Sequence, residues 1–270
     1  VASYAWGSTA VFYLLAANTL ASLVSVLVIP GRAIDHDFAR GLHDETADAR
    51  AGGLSHDHPS GFKVLLTCRP LFTFAACVML FHMANAAMLP LVGQKLALRD
   101  QNRGTGLMPA CIVATQIIMV PMAMLAGGKA DAWGRKPLLL AGCLVLTLRG
   151  VLYVVSKNPF WLVGVQLLDG VGAGLYGALL PVIVADLMRG TGRFNVAQGT
   201  VATMQSMGAA LSTTIAGLVV VHGGYSAAFL TLAAIAAAAL LLLGIAMPET
   251  GQGAANDLNL HPIGSRVAAE

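Results

Sequence analysis

Apolar residues run along this chain in long blocks rather than in the alternation of a strand or the narrow stripe of a surface helix. Seven blocks reach or approach the ~20 residues that carry a helix across a bilayer core. They run Ser8–Ile29, Leu71–Val92, Leu107–Gly127, Pro137–Val155, Phe160–Asp186, Asn195–Val221 and Ala227–Met247. The pattern predicts an all-α polytopic membrane protein with seven transmembrane helices. Glycine and alanine recur inside the blocks, most densely in GVGAGLYGALLP at Gly170–Pro181. Small residues let membrane helices approach closely where lipid supplies no hydrophobic drive for association.

Composition strengthens this reading. Of 270 residues, 57% are hydrophobic and 11% charged, against about 25% charged in a soluble domain. Mean hydropathy is +0.74. The net charge of +3 is spread along the chain, without the basic stripe that binds nucleic acid. Cys68, Cys77, Cys111 and Cys143 form no C-x-x-C pair and read as small buried hydrophobes. The chain begins at Val1, so we expect a truncated chain.

Basic residues orient the spans. With the loop after the first span in the cytoplasm, the inner side holds Arg32, Arg40, Arg50, Lys63, Arg69, Lys129, Arg135, Lys136, Arg189, Arg193 and Arg266. The outer side holds Lys95, Arg99, Arg103 and Lys157. Eleven against four favours an outside N-terminus and a cytoplasmic C-terminus. Residues 1–30 form one lone span, 31–69 a polar linker, 70–249 a unit of six spans, and 250–270 a tail. The linker carries His43, His56, Asp57 and His58. These can ligate a metal, but the segment reads as a solvated linker, and we assign neither metal nor cofactor.

A polar knot, GGKADAWGRKP, separates the third and fourth spans. Gly127, Gly128 and Gly134 are expected to form tight turns. Asp131 can accept hydrogen bonds, and Arg135 and Lys136 can reach helix ends or phospholipid headgroups. This knot resembles the G-x-x-x-D-(R/K)-x-G-R-(R/K) signature of the major facilitator superfamily at Gly127, Asp131, Gly134, Arg135 and Lys136. It departs at Ala132, where the family usually has a basic residue. The resemblance implies that the first span is transporter helix six and the others helices seven to twelve. MPETG at Met247–Gly251 is similar to the end of a final transporter helix. The resemblance further implies that Asp131 and Arg135 latch an inner gate, and that an N-terminal half is missing from this chain.

Ionisable groups within spans cost about 2.5–3.5 kcal/mol each on insertion scales, so each calls for a reason. Arg149 lies twelve residues after Pro137, about 18 Å from that surface. Asp169 lies nine residues after Phe160, about 14 Å from the other. In a core of about 30 Å the depths nearly coincide, which predicts a pair serving either scaffold or coupling. His82, Asn85, Gln116, Gln166 and Gln205 are further candidates for a polar midplane cavity. Each is equally suited to bonding between helices. Asp186, Arg189 and Arg193 flank a short turn with a candidate role in gating.

The leading functional expectation is secondary active transport of a small organic solute by alternating access in a bacterial inner membrane. Proton coupling and efflux are the preferred forms, the latter from likeness to drug-exporter-like members of the family. The alternative is a truncated, non-transporting scaffold or regulatory partner. No phosphate-binding G-x-x-x-x-G-K-(S/T) loop and no H-E-x-x-H motif occurs, so we expect no enzyme.

Overall fold

The computed structural model describes residues 9–30, 68–98, 101–188 and 193–250, with side chains from Phe12 and from Met108 in the first and third of these helical stretches. Every regular element among them is helical. Helix α1 spans Thr9–Val28, and all its described side chains are exposed. The linker and tail histidines, including His43, His56 and His58, lie outside the described residues.

Helices α2 (Arg69–Asn85) and α3 (Met88–Ala97) form one crossing with a break at Ala86–Ala87. Pro90 explains the break. Its ring crowds the carbonyl four residues back, that of Ala86, and it has no N–H to donate. The Ala87 amide donates instead to Ser212 Oγ at 2.9 Å, on a helix 125 residues away. A neighbouring side chain thus satisfies backbone that the break sets free.

Helix α4 runs Gln101–Trp133 and continues through both Pro109 and Pro121. Helix α5 spans Arg135–Val155, and α6 spans Pro159–Leu187. Asn158 starts α6 by accepting the Phe160 amide at 2.9 Å, with Pro159 preset for the first turn. Helix α7 spans Phe194–Ala246, 53 residues, or about 80 Å at helical rise, far more than one bilayer core. Gly224, with φ 76° and ψ 177°, divides it into two arms.

The contacts fix the direction of each arm. In the first, Gly208 packs on Met79 and Ser212 on Ala87, so this arm ascends beside α2. In the second, Phe229 lies 4.9 Å from the Tyr153 ring, centre to centre, and Gly244 accepts Lys136 Nζ at 2.8 Å. That arm descends beside α5. Among the described residues the block after the linker therefore has six apolar helical crossings, and α1 is a further apolar helix before it.

The core lies between these helices, around Phe74, Phe81, Leu139, Tyr176 and Ile183, all buried. Phe81 and Tyr176 stack with ring centres 3.8 Å apart. A Cβ at Gly170 or Gly174 would collide with the backbone carbonyls of Thr115 and Met119. Glycine there lets α6 lie directly against α4, which sets the separation of the polar groups described below.

One expectation is corrected. Gly127 and Gly128 do not turn the chain. They lie inside α4, which continues to Trp133, and a Cβ at either would meet nothing within 4 Å. Five of the seven residues from Gly127 to Trp133 can be helical at little cost and the two glycines at about 1 kcal/mol each, so the helix persists until Gly134. There φ is 85°, a value that L side chains rarely adopt.

Candidate functional site

Two polar clusters occupy the six-crossing block. The first is centred on Arg149, whose side chain is almost fully buried. Its Nη1 pairs with Asp169 Oδ1, and its Nη2 donates to Asn85 Oδ1. Met88 Sδ lies 3.1 Å from Nη2 and 3.4 Å from Nε. The guanidinium also stands 6.0 Å from the Tyr153 ring centre. Helices α2, α3, α5 and α6 thus converge on one cation.

The network extends through Gln166, which is wholly buried. Its Nε2 donates to Asp169 Oδ2 at 3.0 Å and to Thr115 Oγ1 at 3.4 Å. Its Oε1 accepts the Tyr153 hydroxyl. Thr115 is itself tied to the Cys111 carbonyl at 3.0 Å. Both Asp169 oxygens and both ends of Gln166 therefore have partners, as a charge in a low-dielectric interior requires. The electrostatics are asymmetric. The Arg149 side chain is 2% exposed and that of Asp169 17%, so the anion is the member that reaches the surface of the bundle.

Counting residues along the spans brought Arg149 and Asp169 to one depth, and they meet; Gln166, one turn from Asp169 on the same helix, joins them. Asn85 joins them. His82 does not: its Nδ1 lies 2.9 Å from the Val78 carbonyl of its own helix. Gln116 is exposed and Gln205 half-buried, so both face outward from the network. Thr115, Tyr153 and Met88 were not selected from sequence. Tyr153 is one helical turn from Arg149, a spacing that places side chains on one face, and that signal was available.

The second cluster surrounds Gly134. Asp131 Oδ1 accepts Arg135 Nη2 at 3.2 Å, while Arg135 Nη1 pairs with Asp186 Oδ2. Arg135 Nη1 also reaches the Thr250 carbonyl at 3.2 Å. Glu249 accepts the backbone N–H groups of Arg135 at 2.9 Å and Lys136 at 3.2 Å. These are unpaired donors of the first turn of α5, and a carboxylate there also meets the positive end of the helix dipole. Glu249 was missed as a participant, although its segment was noted. Gly127 takes no part. Ala132, the position that departs from the signature, is exposed. The four cysteines are buried and unpaired with one another, and Cys143 Sγ lies 3.1 Å from the Tyr176 hydroxyl. Among the described residues, no group of three or more histidine, cysteine, aspartate or glutamate side chains is placed to hold a metal.

The turn at Gly134, joining the second and third crossings of a six-crossing block, gathers Asp131, Gly134, Arg135 and Lys136 of the transporter signature, with Ala132 departing from it. The family model of the Major Facilitator Superfamily matches residues 112–264, more than half of the chain. The chain belongs to the Major Facilitator Superfamily. Two curated relatives, described as uncharacterized MFS-type transporters, are 53% identical over 248 residues. They come from Mycobacterium tuberculosis strains CDC 1551 / Oshkosh and H37Rv. The match covers 92% of this chain and 58% of each relative, so the chain spans somewhat over half the length of these proteins. Major Facilitator Superfamily members are membrane transporters and not enzymes, and the apolar helices described above make this an integral membrane protein.

Proposed function

We propose that the chain is the trailing portion of a secondary active transporter that moves a small organic solute by alternating access. In this reading α1 is the last helix of a preceding lobe, residues 31–69 are the central linker, residues 70–249 are the second lobe, and residues 250–270 are a cytoplasmic tail. The N-terminus of the chain is outside and the Gly134 turn faces the cytoplasm of a bacterial cell. The missing partner lobe covers the exposed faces of α4 and the first arm of α7.

The observation that carries this reading is the Arg149–Asp169–Asn85 network. It is an ion pair deep in an apolar block, braced on the buried side by Gln166 and Tyr153, with its carboxylate at the bundle surface. A pair serving only as scaffold is served as well by apolar side chains of similar volume. A carboxylate that gains and loses a proton, or meets a solute, needs access. We therefore assign Asp169 to proton coupling, with Arg149 as its counter-ion. Asn85 and Gln166 position the pair, while Gln116 and Gln205, on the faces left for the partner lobe, and His82 are assigned to a cavity between the two lobes. Asp131, Gly134, Arg135 and Lys136 form the inner gate, joined by Asp186 and Glu249. The direction of transport is efflux.

The test is solute flux in proteoliposomes holding the protein as its own gene encodes it, across a panel of organic cations and neutral solutes, with and without a pH gradient. Flux of at least one solute that rises with the gradient is expected. Correctly folded protein that moves none of them under either condition overturns the reading.

A further inference from the structure

The last turn of α5 is held by side chains from two other helices. A helix leaves its final four carbonyls without partners of its own. In α5, which ends at Val155, Trp161 Nε1 of α6 donates to the Leu152 carbonyl at 2.9 Å. Lys95 Nζ of α3 donates to the Tyr153 carbonyl at 3.0 Å, and its charge suits the negative end of the helix dipole. The same Nζ stands 5.4 Å from the centre of the Phe229 ring. That ring lies against Tyr153, with centres 4.9 Å apart, and both aromatic residues are wholly buried. Backbone and ring of Tyr153 are thus clamped in a turn that, as a helix end, is otherwise prone to fray.

Side chains on a helix lean towards its N-terminus, so Tyr153 points back along α5 to Arg149, whose guanidinium stands 6.0 Å from the ring centre. The Tyr153 hydroxyl meets Gln166 Oε1, and this contact decides how the amide of Gln166 is turned. An amide has a donor at one end and an acceptor at the other, whereas an ionised carboxylate only accepts. Gln166 Nε2 must therefore face Asp169 Oδ2, as it does at 3.0 Å, and Oε1 must face a donor. Thr115 does not fill that place. Its hydroxyl donates to the Cys111 carbonyl at 3.0 Å and lies on the Nε2 side of the amide, at 3.4 Å. The Tyr153 hydroxyl is the donor. With the amide reversed, its oxygen would confront the Asp169 carboxylate.

We propose that Tyr153 is a positioning residue for the Arg149–Asp169 pair, anchored by Lys95 from the end of the bundle opposite Gly134. Tyr153 does not bond to the carboxylate. It holds Gln166 with the donor end of the amide on Asp169. Asp169 then meets Arg149 Nη1 on one oxygen and an amide donor on the other, while Asn85 takes the second arm of the guanidinium. Both partners of Asp169 suit a carboxylate carrying its full charge. The role in transport that follows, keeping Asp169 ionised until the lobe changes shape, rests on the coupling function proposed for Asp169 above.

The experiment is labelling of Asp169 with dicyclohexylcarbodiimide, an apolar reagent that adds to protonated carboxyl groups. It is run at one near-neutral pH on the protein as its own gene encodes it and read by peptide mass spectrometry. Tyr153→Phe keeps the ring against Phe229 and removes only the hydroxyl. One hydrogen bond is worth about fivefold in an equilibrium, so labelling of Asp169 should rise by about that factor. Lys95→Met should move it in the same direction. Gln166→Leu should raise it at least as far as Tyr153→Phe, and adding Tyr153→Phe to Gln166→Leu should raise it no further, because the hydroxyl acts only through the amide. Unchanged labelling in Tyr153→Phe or in Lys95→Met, or effects that multiply in the combined variant, overturn the proposal. Tyr153→Phe alone carries the test should Gln166→Leu fail to fold. Gradient-driven flux of the same proteins separates this proposal from the one it rests on. The expected labelling with flux that ignores the gradient takes coupling away from Asp169 and supports the positioning role. Gradient-driven flux with unchanged labelling in Tyr153→Phe does the reverse.

Discussion

Glu249 lies 114 residues beyond Arg135, yet its carboxylate accepts the Arg135 backbone N–H at 2.9 Å. The residue that follows the last crossing thereby caps the third crossing of the six-crossing block. This closes the Gly134 end of the bundle, because α5 and the second arm of α7 end on the same carboxylate. Removing a side-chain cap costs about 1 kcal/mol. We expect Glu249→Ala to lower thermal stability in detergent, followed by circular dichroism, by a few degrees. Glu249→Gln should lie between, since it keeps an acceptor and loses the charge. An unchanged midpoint in Glu249→Ala contradicts the capping role.

Gly134 is constrained twice. Its φ of 85° with ψ of 153° is a region that glycine occupies almost alone, at a cost of about 1–3 kcal/mol for other residues. A Cβ there would also approach Glu249 Oε2 to 2.7 Å. Gly134→Ala should therefore destabilise by about 2 kcal/mol. It should also couple to Glu249→Ala, which removes the clash but not the backbone strain. In contrast, Gly127→Ala and Gly128→Ala, inside α4, should be neutral or slightly stabilising, because alanine is the better helix former. Thermal melts of the four single variants and of Gly134→Ala combined with Glu249→Ala read all of these outcomes.

The contrast between these glycines shows what the sequence can and cannot disclose. Apolar block length sets the number of crossings, and rise per residue sets depth, so the seven spans and the common level of Arg149 and Asp169 were legible by counting. Rotation about a helix axis was not. Gln116 and Thr115 differ by one residue, about 100° around α4, and it is Thr115 that turns to Gln166. His82 and Asn85 share a face by spacing, yet only Asn85 reaches Arg149. Glu249 was hidden for another reason: a contact across more than a hundred residues leaves no local periodicity. The glycines of the knot looked alike in sequence, but only Gly134 meets a backbone angle that demands glycine.

The broken crossing at Ala86–Ala87 makes its own prediction. Ser212 Oγ is the acceptor for the Ala87 amide at 2.9 Å, and a buried amide without an acceptor costs about 1–3 kcal/mol. Ser212→Ala should destabilise by an amount in that range, and Ser212→Thr, which keeps the hydroxyl, by less if the extra methyl is tolerated. Hydrogen exchange at Ala87 should quicken in Ser212→Ala while that at Phe74 in α2 stays slow. Equal protection of Ala87 in both variants argues against this bond.

The Arg149–Asp169 pair yields a double-mutant cycle. Breaking a buried pair from one side leaves an uncompensated charge and costs about 3–5 kcal/mol. Arg149→Met and Asp169→Asn should each be markedly destabilising, and the combined variant less so than their sum. Additive losses in thermal melts would mean that the two charges are stabilised separately.

The most direct test of the account is solute flux driven by a pH gradient in proteoliposomes, compared between the unaltered protein and Asp169→Asn, with both shown to be folded. The account predicts gradient-dependent flux that falls at least tenfold in Asp169→Asn and no longer responds to the gradient. Equal flux with an unchanged response to pH contradicts it.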